Sequence, residues 1–503
     1  MTFDTRFRQR RRWAPRLLAV AVVVGSATSW VPPVPAAEAQ PAGASWTAYV
    51  GGLDGVTPIA TSTNTPGDFI STGGNDPKYI AITPDATTAY VSNVGRSTVT
   101  VLDTASNAVT GTITMPDPGA VASVAIAPDG ATAYVTQSPA RVYPVDTGTN
   151  TAGPAIDLPA GVAPGPLAVT PDGATLYVAE VGFGGGGRVF PIALGATPVV
   201  GTPITIANGP LGEIQITPDG ATAYVVAETD GAVYPIDTGD NTRGPRIPIS
   251  GRPFSIDIAP DGRTTYVATS IPGDPVTHAV IPINTADNTV GDPIQIDNPP
   301  GGMAITPDGT TLYVGAVDAV FSIDLATSTV SRISIAGSGP EFGIAITPDQ
   351  APEAALVVTP PNSPAYFTSP STVRYGTVAS YQWDFGDGTT ATTSTPGTSH
   401  EYANPGTYTA TVTLTSSGGT STTQVFTGQT LYRNGGPQAM ASATVTVPVE
   451  VVDGLTTPAD ADRLARTGTP DATLIVIGAT ALALGVALTQ LTRRRRHTRS
   501  SDQ

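Results

Sequence analysis

Short runs of alternating apolar and small residues recur along residues 45–350, and each run is followed by a Pro-Asp turn. A run such as Ile80-Ala81-Ile82 has the period of two that predicts a half-buried strand. Successive Asp residues of these turns are separated by 44, 43, 47, 42, 47 and 41 residues. This spacing matches the ~40–45 residues of a four-stranded propeller blade. The seven Pro-Asp pairs occupy positions 84–85, 128–129, 171–172, 218–219, 260–261, 307–308 and 348–349.

A Tyr-Val pair follows the turn in six of the seven units, within a second predicted strand. We expect the repeated Asp to cap its turn and the repeated Tyr to pack between blades. Stacking of a few Tyr rings on carbohydrate is the alternative for that residue. The six pairs occupy positions 90–91, 134–135, 177–178, 224–225, 266–267 and 313–314.

The seventh unit has no Tyr-Val after Asp349, whereas the N-terminal segment contains Ala48-Tyr49-Val50 ahead of any turn. We therefore predict that the N-terminal strands complete the last blade. Closure of this kind pairs the two chain ends and removes exposed sheet edges. Residues 45–350 are predicted to form one seven-bladed β-propeller.

The segment Tyr90-Val91-Ser92-Asn93 resembles the repeat of YVTN-type surface propellers. Similar lactonase and lyase propellers carry catalytic groups at the mouth of the central channel, but the sequence alone identifies no such set here. His278 is predicted to lie solvated in a loop. Gly184–Gly187 is predicted to be a loop between strands, because no helix or Lys follows it as in a phosphate loop.

Residues 381–389, Tyr-Gln-Trp-Asp-Phe-Gly-Asp-Gly-Thr, together with residues 400–412, resemble the central motif of a PKD domain. The resemblance implies an immunoglobulin-like sandwich over residues 352–448. Alternation directs Trp383 and Phe385 into the core and Asp384 outward. Gly386 and the hairpin turn at Asp387-Gly388 complete the motif. A calcium site at Asp384 and Asp387 is the alternative to structural turn acids, which we favour because too few oxygen ligands lie nearby.

Residues 1–39 have the layout of a secretory signal peptide. A basic run from Arg6 to Arg16 precedes the apolar segment Leu17 to Val24, and small residues flank Glu38. Cleavage is predicted after Ala39. An uncleaved membrane anchor is the alternative, and the export route, Sec or twin-arginine, stays open.

The C-terminal segment has the layout of a membrane anchor. Residues 472–491 contain no charge and are long enough to span a bilayer as a helix, and the Arg cluster from Arg493 is expected to stay in the cytoplasm. The body of the protein is therefore predicted to be outside. Residues 449–463 are predicted to be a linker.

The pentapeptide ahead of this span resembles a Gram-positive cell-wall sorting signal over residues 464–503. The resemblance implies that a sortase joins Thr467 to the peptidoglycan and removes the chain from Gly468 onward. Ala465 replaces the commoner Pro, a form similar to the one that a class of actinobacterial sortases uses. A single-pass protein that keeps its span is the alternative. The motif residues are Leu464, Ala465, Arg466, Thr467 and Gly468.

Composition narrows the possible functions. The formal net charge is -16, but the two ends of the chain are basic and the body between them is acidic. Residues 40–468 contain 13 basic and 36 acidic residues. An acidic body disfavours nucleic acid as a partner. The absence of Cys and the presence of only three His exclude thiolate and multi-His metal centres. The 55 Gly and 49 Pro argue against long helices outside the terminal segments.

These features together predict an exported, all-β, monomeric surface protein of an actinobacterial cell, held at the wall or the plasma membrane. We expect it to be no enzyme, to need no cofactor or metal, and to present a binding or structural surface to an extracellular protein or glycan. The rival hypothesis is an extracellular propeller enzyme of lactonase or lyase type.

Overall fold

The computed structural model describes residues 45–73, 77–182, 186–335, 343–359, 364–426 and 433–449. Apart from the 3-10 helix Pro437–Ala439, the regular structure in these ranges consists of strands, which confirms the all-β class. No helix among the described residues is long and apolar enough to cross a membrane. The predicted signal peptide, sorting signal and span, and the linker after Val449, lie outside the described residues.

Seven sheets within the described ranges follow the predicted repeat. The first segment contains β1 (Thr47–Gly51), β2 (Gly55–Ala60), β3 (Thr65–Pro66) and β4 (Ile70–Ser71). Blade 1 contains β5 (Pro77–Ile82), β6 (Thr88–Asn93), β7 (Thr98–Asp103) and β8 (Ala108–Thr114). Blade 2 contains β9 (Val121–Ile126), β10 (Thr132–Gln137), β11 (Arg141–Asp146), β12 (Thr151–Ala152) and β13 (Ile156–Asp157). Blade 3 contains β14 (Pro164–Val169), β15 (Thr175–Glu180), β16 (Arg188–Ala193), β17 (Val199–Val200) and β18 (Ile204–Thr205).

The remaining blades repeat the same antiparallel order from the innermost strand outward. Blade 4 contains β19 (Leu211–Ile216), β20 (Thr222–Ala227), β21 (Ala232–Asp237), β22 (Thr242–Arg243) and β23 (Ile247–Pro248). Blade 5 contains β24 (Arg252–Ile258), β25 (Thr264–Ile271), β26 (Thr277–Asn284) and β27 (Ile294–Ile296). Blade 6 contains β28 (Pro300–Ile305), β29 (Thr311–Ala316), β30 (Ala319–Asp324) and β31 (Thr329–Ser334). Blade 7 joins β32 (Ile344–Ile346) to β1–β4.

The ring closes through the two ends of the propeller segment. β32 pairs with β1 in antiparallel register, with Ala345 opposite Tyr49. The predicted closure by the N-terminal strands is therefore confirmed. Because β1 takes the place of the second strand, the seventh blade has the same strand order as the others.

The core of the propeller lies between consecutive blades. Tyr177 and Val189 of blade 3, for example, belong to the same apolar cluster as Ile214 and Val225 of blade 4, and all four are fully buried. Burying one such aliphatic side chain contributes about 1.5–3 kcal/mol. Each blade is therefore stabilised by its neighbours rather than by a core of its own.

A hydrogen bond from the repeated Tyr joins five pairs of consecutive blades. The Tyr hydroxyl donates to the side-chain oxygen of an Asn in the third turn of the next blade, and this Asn has a φ between 54° and 60°. Asn tolerates this left-handed conformation better than most residues. The Tyr residues thus pack between blades as predicted and are fixed by a specific bond. The pairs are Tyr49–Asn107 (2.6 Å), Tyr90–Asn150 (2.7 Å), Tyr177–Asn241 (2.7 Å), Tyr224–Asn288 (2.9 Å) and Tyr313–Asn64 (2.5 Å).

Six of the seven repeated Asp residues cap their turns, as predicted. Asp172, for example, accepts a hydrogen bond from the backbone nitrogen of Ala174 at 2.9 Å, and the five others bond in the same way. Asp349 does not. Its buried carboxylate accepts from the Trp46 indole nitrogen at 3.1 Å and from the Ser416 hydroxyl, so the prediction of turn capping is wrong for this residue.

The chain continues into a second β domain, a sandwich of two sheets. One sheet contains β34 (Val357–Thr359), β35 (Ala365–Thr368) and β38 (Gly397–His400). The other contains β36 (Val378–Asp384), β37 (Thr390–Thr393), β39 (Gly406–Ser416) and β41 (Met440–Val447). Trp383 and Phe385 are buried between the sheets and Asp384 is exposed, as alternation predicts.

The sandwich is attached to the Pro-Asp end of the propeller. The short strand β33 (Asp349–Gln350) pairs in parallel with β40 (Arg433–Asn434) of the sandwich segment. The Arg374 guanidinium donates to the carbonyl oxygens of Asp85, at 2.7 Å, and Ala86, at 3.1 Å. Propeller and sandwich form one compact unit. The predicted boundary between residues 350 and 352 therefore falls inside their shared junction.

The blade-joining bond makes a measurable prediction. Tyr177→Phe removes the hydroxyl that bonds Asn241 and should lower the free energy of unfolding by about 0.5–1.5 kcal/mol. Tyr134→Phe is the matched control, because residues 194–197 in the corresponding turn of blade 3 include no Asn. Its effect should stay within about 0.5 kcal/mol. Equal losses in guanidinium unfolding of the two variants would contradict the assigned role.

The junction makes a second prediction. Asp349→Ala leaves the donors of Trp46 and Ser416 without their acceptor, at a cost of about 1–3 kcal/mol for each buried group. Asp308→Ala, the equivalent change at an exposed turn, should cost about 1 kcal/mol or less. Calorimetric melting of both variants tests this difference, and a milder effect of Asp349→Ala would show that the junction does not depend on this carboxylate.

Candidate functional site

A cavity of about 600 Å³ opens at the mouth of the central channel, where the inner strands begin. Residues at the starts of β5, β9, β14, β19, β24 and β28 line it. These strands of six or seven residues run about 20 Å to the Pro-Asp turns at their other ends. The mouth is therefore at the end of the propeller opposite to the attached sandwich.

Small residues keep the mouth open and allow the blades to approach closely. A Cβ atom on Gly212 would lie 2.7 Å from the carbonyl oxygen of Phe254, and one on Gly165 would lie 2.1 Å from a methyl group of Val181. Five Pro residues, including Pro164 and Pro210, and three Ala residues form a large part of the remaining wall. Together with four Gly residues they make up half of the lining, so much of the wall carries only small or rigid side chains.

Polar side chains are concentrated on the two adjacent blades 4 and 5. In five blades the second-to-last residue of the inner strand is Ala. The same position holds Gln215 in blade 4 and Asp257 in blade 5. Two residues earlier, the same strands carry Glu213 and Ser255. Glu213, Gln215 and Asp257 depart from the small or apolar pattern of the repeat, whereas Ser255 has its equivalent in Ser123 of blade 2. The five Ala residues are Ala81, Ala125, Ala168, Ala304 and Ala345.

Glu213 reaches from blade 4 to blade 5 and also faces the cavity. Its Oε2 accepts hydrogen bonds from the Ser255 hydroxyl at 2.5 Å and from the backbone nitrogen of Ile256 at 3.1 Å. Its Oε1 accepts no hydrogen bond from the described residues. Burial raises the pKa of Glu213 to about 6, and the positive charge of Lys78 opposes this shift.

Asp257 lies deeper than Glu213, fully buried between blades 5 and 6. Its two carboxylate oxygens accept from the backbone nitrogens of Ile258, at 2.9 Å, and Ile305, at 2.8 Å. Burial raises the pKa of Asp257 to about 8, and the negative charge of Glu213 adds to the shift. Asp257 is therefore largely protonated at neutral pH, whereas Glu213 is largely ionised.

Two further charged residues form part of the rim. The Arg252 guanidinium donates to the Glu228 carboxylate at 2.7 Å and also lies 5.1 Å from the centre of the Phe254 ring. Lys78 lies 5.8 Å from the centre of the Tyr79 ring on the blade 1 side. The lining side chains therefore include two cations and two carboxylates, and among these Arg252 and Glu228 pair with each other.

The turn and strand motifs of the sequence do not point to this site. A comparison of the inner strands position by position would show Glu213 and Asp257 as departures from the repeat, but not Ser255, whose equivalent in blade 2 is Ser123. Within the described ranges, no group of three or more His, Cys, Asp or Glu side chains is placed to hold a metal ion.

The predicted structural residues of the sandwich form their own cluster away from the mouth. Asp384 accepts from the backbone nitrogen of Gly386, and Asp387 accepts from Thr389 and bonds the His400 ring at 2.7 Å. Hydrogen bonding by the Thr389 hydroxyl is the main cause that lowers the pKa of Asp387 to about 2. Both carboxylates therefore act as turn acids. The two glycines of the motif have positive φ values, 79° at Gly386 and 92° at Gly388.

Other predicted residues have different positions from those expected or lie outside the described ranges. The prediction that His278 occupies a solvated loop is wrong. It lies in β26, paired on both sides, and its Nδ1 bonds the Ser270 hydroxyl at 2.9 Å. The Pro and Thr residues ahead of it suggested a loop because pairing with neighbouring strands is not visible in the sequence. Ala39 and the sorting motif 464–468 lie outside the described residues.

The glycine run before Arg188 lies only partly within the described residues, since residues 183–185 fall outside them. Arg188 itself is the first residue of β16. Its guanidinium makes two hydrogen bonds of 2.8 Å to the buried carboxylate of Glu180. This cation is therefore engaged within blade 3.

Comparisons with known proteins support the two-part architecture. Residues 349–429 match the family model of the PKD domain, and no curated protein matches the chain. A functionally unknown protein from Desulfotomaculum acetoxidans DSM 771 is similar in structure, with 22% identity, a TM-score of 0.50, and coverage of 60% of this chain and 98% of that one. At this identity the likeness concerns the fold alone.

Two other solved structures have lower TM-scores. A putative 6-phosphogluconolactonase from Bacteroides uniformis ATCC 8492 has 17% identity and a TM-score of 0.48, covering 60% of this chain and 99% of that one. Hydrazine synthase from Kuenenia stuttgartiensis has 26% identity and a TM-score of 0.45, covering 50% and 76%. Likenesses at this level carry no information about function.

The buried Asp257 makes a prediction about pH. Its pKa of about 8 exceeds the ordinary value of 3.8, so the folded chain holds a proton that the unfolded chain releases. This contribution to stability is complete below pH 3.8 and is lost as the pH rises towards 8, by at most about 1.4 kcal/mol per pH unit. Asp257→Asn should remove this dependence.

Urea unfolding of the unmodified protein and of Asp257→Asn at pH 6 and pH 8 tests the effect. The two proteins share every other titrating group, including Glu213 and Lys78. The loss of stability between these pH values should be larger in the unmodified protein than in the variant. Parallel changes would show that Asp257 titrates normally.

Proposed function

We propose that this chain is an exported, non-enzymatic binding protein whose propeller presents the channel mouth to an extracellular ligand. The observation that carries the proposal is the open cavity of about 600 Å³ at the end of the propeller that the PKD domain leaves uncovered. Cavities of roughly 300–1,000 Å³ are typical of small-ligand sites.

The attachment of the PKD domain supports this division between the two ends. Its contacts with the propeller include the Pro-Asp turn of blade 1, through Arg374, and the strand pairing of β33 with β40. A match to the PKD family is consistent with a location outside the cell. The two domains together would form a rigid unit suited to display.

Binding is favoured over catalysis by the way the polar groups are engaged. Asp257 is shielded below the cavity, and one oxygen of Glu213 is committed to Ser255 and Ile256. One observation favours a second candidate, an extracellular propeller enzyme: the pKa of Glu213, about 6, suits a general acid or base near neutral pH. In that case Glu213 would be the catalytic residue.

We further propose that the protein is anchored to the cell wall of a Gram-positive cell through Thr467 and the sortase reaction. The motif at residues 464–468 and the apolar and basic segments after it support this. Retention of the whole chain as a single-pass membrane protein is the alternative, and it would place the propeller on the same side of the membrane.

Binding is tested by probing glycan and surface-protein arrays with the labelled full chain in mild detergent. A ligand retained by the unmodified chain and lost in Ala122→Trp, which fills the mouth, is the expected result. Thr407→Trp, an exposed position on the PKD sandwich, is the matched control. Chemical conversion of a captured ligand would instead favour the enzyme.

Anchoring is tested by mass spectrometry of protein released from purified walls by a muralytic enzyme. The expected C-terminal peptide ends at Thr467 and carries peptidoglycan fragments. A C-terminal peptide that extends to Gln503 would contradict sortase processing and support the retained span.

A further inference from the structure

The fourth strand is the outer edge of each blade, and an exposed edge strand can pair with a strand of another chain unless Pro, charge or short length prevents it. In five of the seven blades a Pro, which has no N–H to donate, lies in this edge segment. Blade 6 has no Pro there, but its edge strand β31 carries the charged Arg332. The five Pro residues are Pro154 in blade 2, Pro203 in blade 3, Pro245 in blade 4, Pro293 in blade 5 and Pro66 in blade 7.

The edge of blade 1 has neither kind of protection. Its strand β8 is seven residues long, the longest outer strand in the described ranges, and contains neither Pro nor a charged residue. β8 is the last strand of its sheet, and no other described strand pairs with its outer side. It has one extra residue, Thr110, where the register with β7 shifts, whereas the pairing from Gly111 to Thr114 is regular. This regular segment leaves a row of backbone groups open to a partner.

The register shows which backbone groups of β8 point outward. The Met115 nitrogen donates to the carbonyl oxygen of Ser97 at 2.8 Å, so these two residues form a hydrogen-bonded pair. In an antiparallel ladder such pairs alternate with pairs that share no hydrogen bond. Thr112 and Thr114 therefore direct their N–H and C=O groups away from β7, and both residues are exposed.

The outward-facing segment is complementary to itself. Thr112-Ile113-Thr114 reads the same in both directions, so an antiparallel pair of two copies centred on Ile113 places Thr112 opposite Thr114 twice. The outward groups of both strands then bond to each other, and Thr opposite Thr is a favourable cross-strand pair. This match favours a second copy over an unrelated strand. We propose that β8 pairs in this antiparallel register with β8 of a second copy of the chain.

A contact of this size is weak between free chains, because a few hydrogen bonds hardly offset the lost translational and rotational freedom of two proteins. Chains anchored to one surface, as proposed above, meet at a much higher effective concentration. The displayed form is then a dimer with two channel mouths instead of the expected monomer. The pairing does not depend on what the mouths bind.

Disulfide trapping tests the register, because the chain has no Cys of its own. Thr112→Cys and Thr114→Cys are prepared as full chains in mild detergent, and their equimolar mixture is oxidised. The Cα atoms of a hydrogen-bonded antiparallel pair are about 5.5 Å apart, which a disulfide can span. Mass spectrometry should find the disulfide between positions 112 and 114 at least tenfold more often than the two like-to-like disulfides together.

Random collision of the two variants gives mixed and like-to-like disulfides in equal amounts. Association through the apolar segment 472–491 would favour neither kind, so the ratio reports on the edge alone. Equal amounts, or a dominant disulfide between like positions, would overturn the proposal.

Hydrogen exchange tests the pairing without introduced Cys. The outward amides of Thr112 and Thr114 should exchange at least threefold more slowly at high than at low concentration of the full chain. Thr112→Pro removes one outward N–H and keeps the hydrogen bonds to β7, so it should abolish this dependence on concentration. Melting verifies that the variant is folded. Protection that survives Thr112→Pro would place the contact elsewhere and contradict pairing through β8.

Discussion

The packing of each blade against the next is the constraint on which the rest of the propeller depends, and a hydrogen bond from a strand tyrosine to a turn asparagine of the next blade reinforces it. The bond occurs between five pairs of blades, and Tyr313–Asn64 extends it across the closure of the ring. The apolar clusters lie between blades, so a blade without its neighbours would leave its core exposed. Asn is suited to this bond because it tolerates the left-handed φ that directs its side chain to the neighbour. With the blades packed in this way, the first residues of the inner strands meet around a channel and form its mouth.

Because the blades repeat, a residue that differs in one blade can be compared with the equivalent positions of the other six. Asp257 is a buried carboxylate at a position where five blades have Ala, and Asp349 is a buried carboxylate where the other six blades have an exposed turn Asp. Asp257 bonds across to Ile305 of the next blade, and Asp349 bonds across to Trp46 and Ser416. Burying a carboxylate is costly unless hydrogen bonds compensate for it, and both are compensated by groups from a neighbouring element. Asp257 joins blades 5 and 6 below the cavity, and Asp349 joins the propeller to the PKD domain.

The two ends of the propeller are built differently. At the Pro-Asp end, Arg374 and the β33–β40 pairing attach the PKD domain, and the chain then continues towards the predicted anchor. At the other end, strand starts rich in Gly and Pro border the open cavity. A shared junction, with Asp349 inside it, makes the propeller and the PKD domain one compact unit instead of two domains on a flexible link.

The sequence by itself determined the blade number, the ring closure, the turn role of six of the seven repeated Asp residues and the core position of Trp383 and Phe385. All of these follow from local alternation and from a repeat of fixed length, which are written in consecutive residues. It did not reveal the site, because Glu213 and Ser255 are 42 residues apart and their contact exists only when two blades stand side by side. The same reason applies to Asp349, whose dipeptide matches the other six, and to His278, which is a strand residue only through its neighbours. Tertiary structure decided these positions because burial and hydrogen-bond partners come from segments distant in the chain.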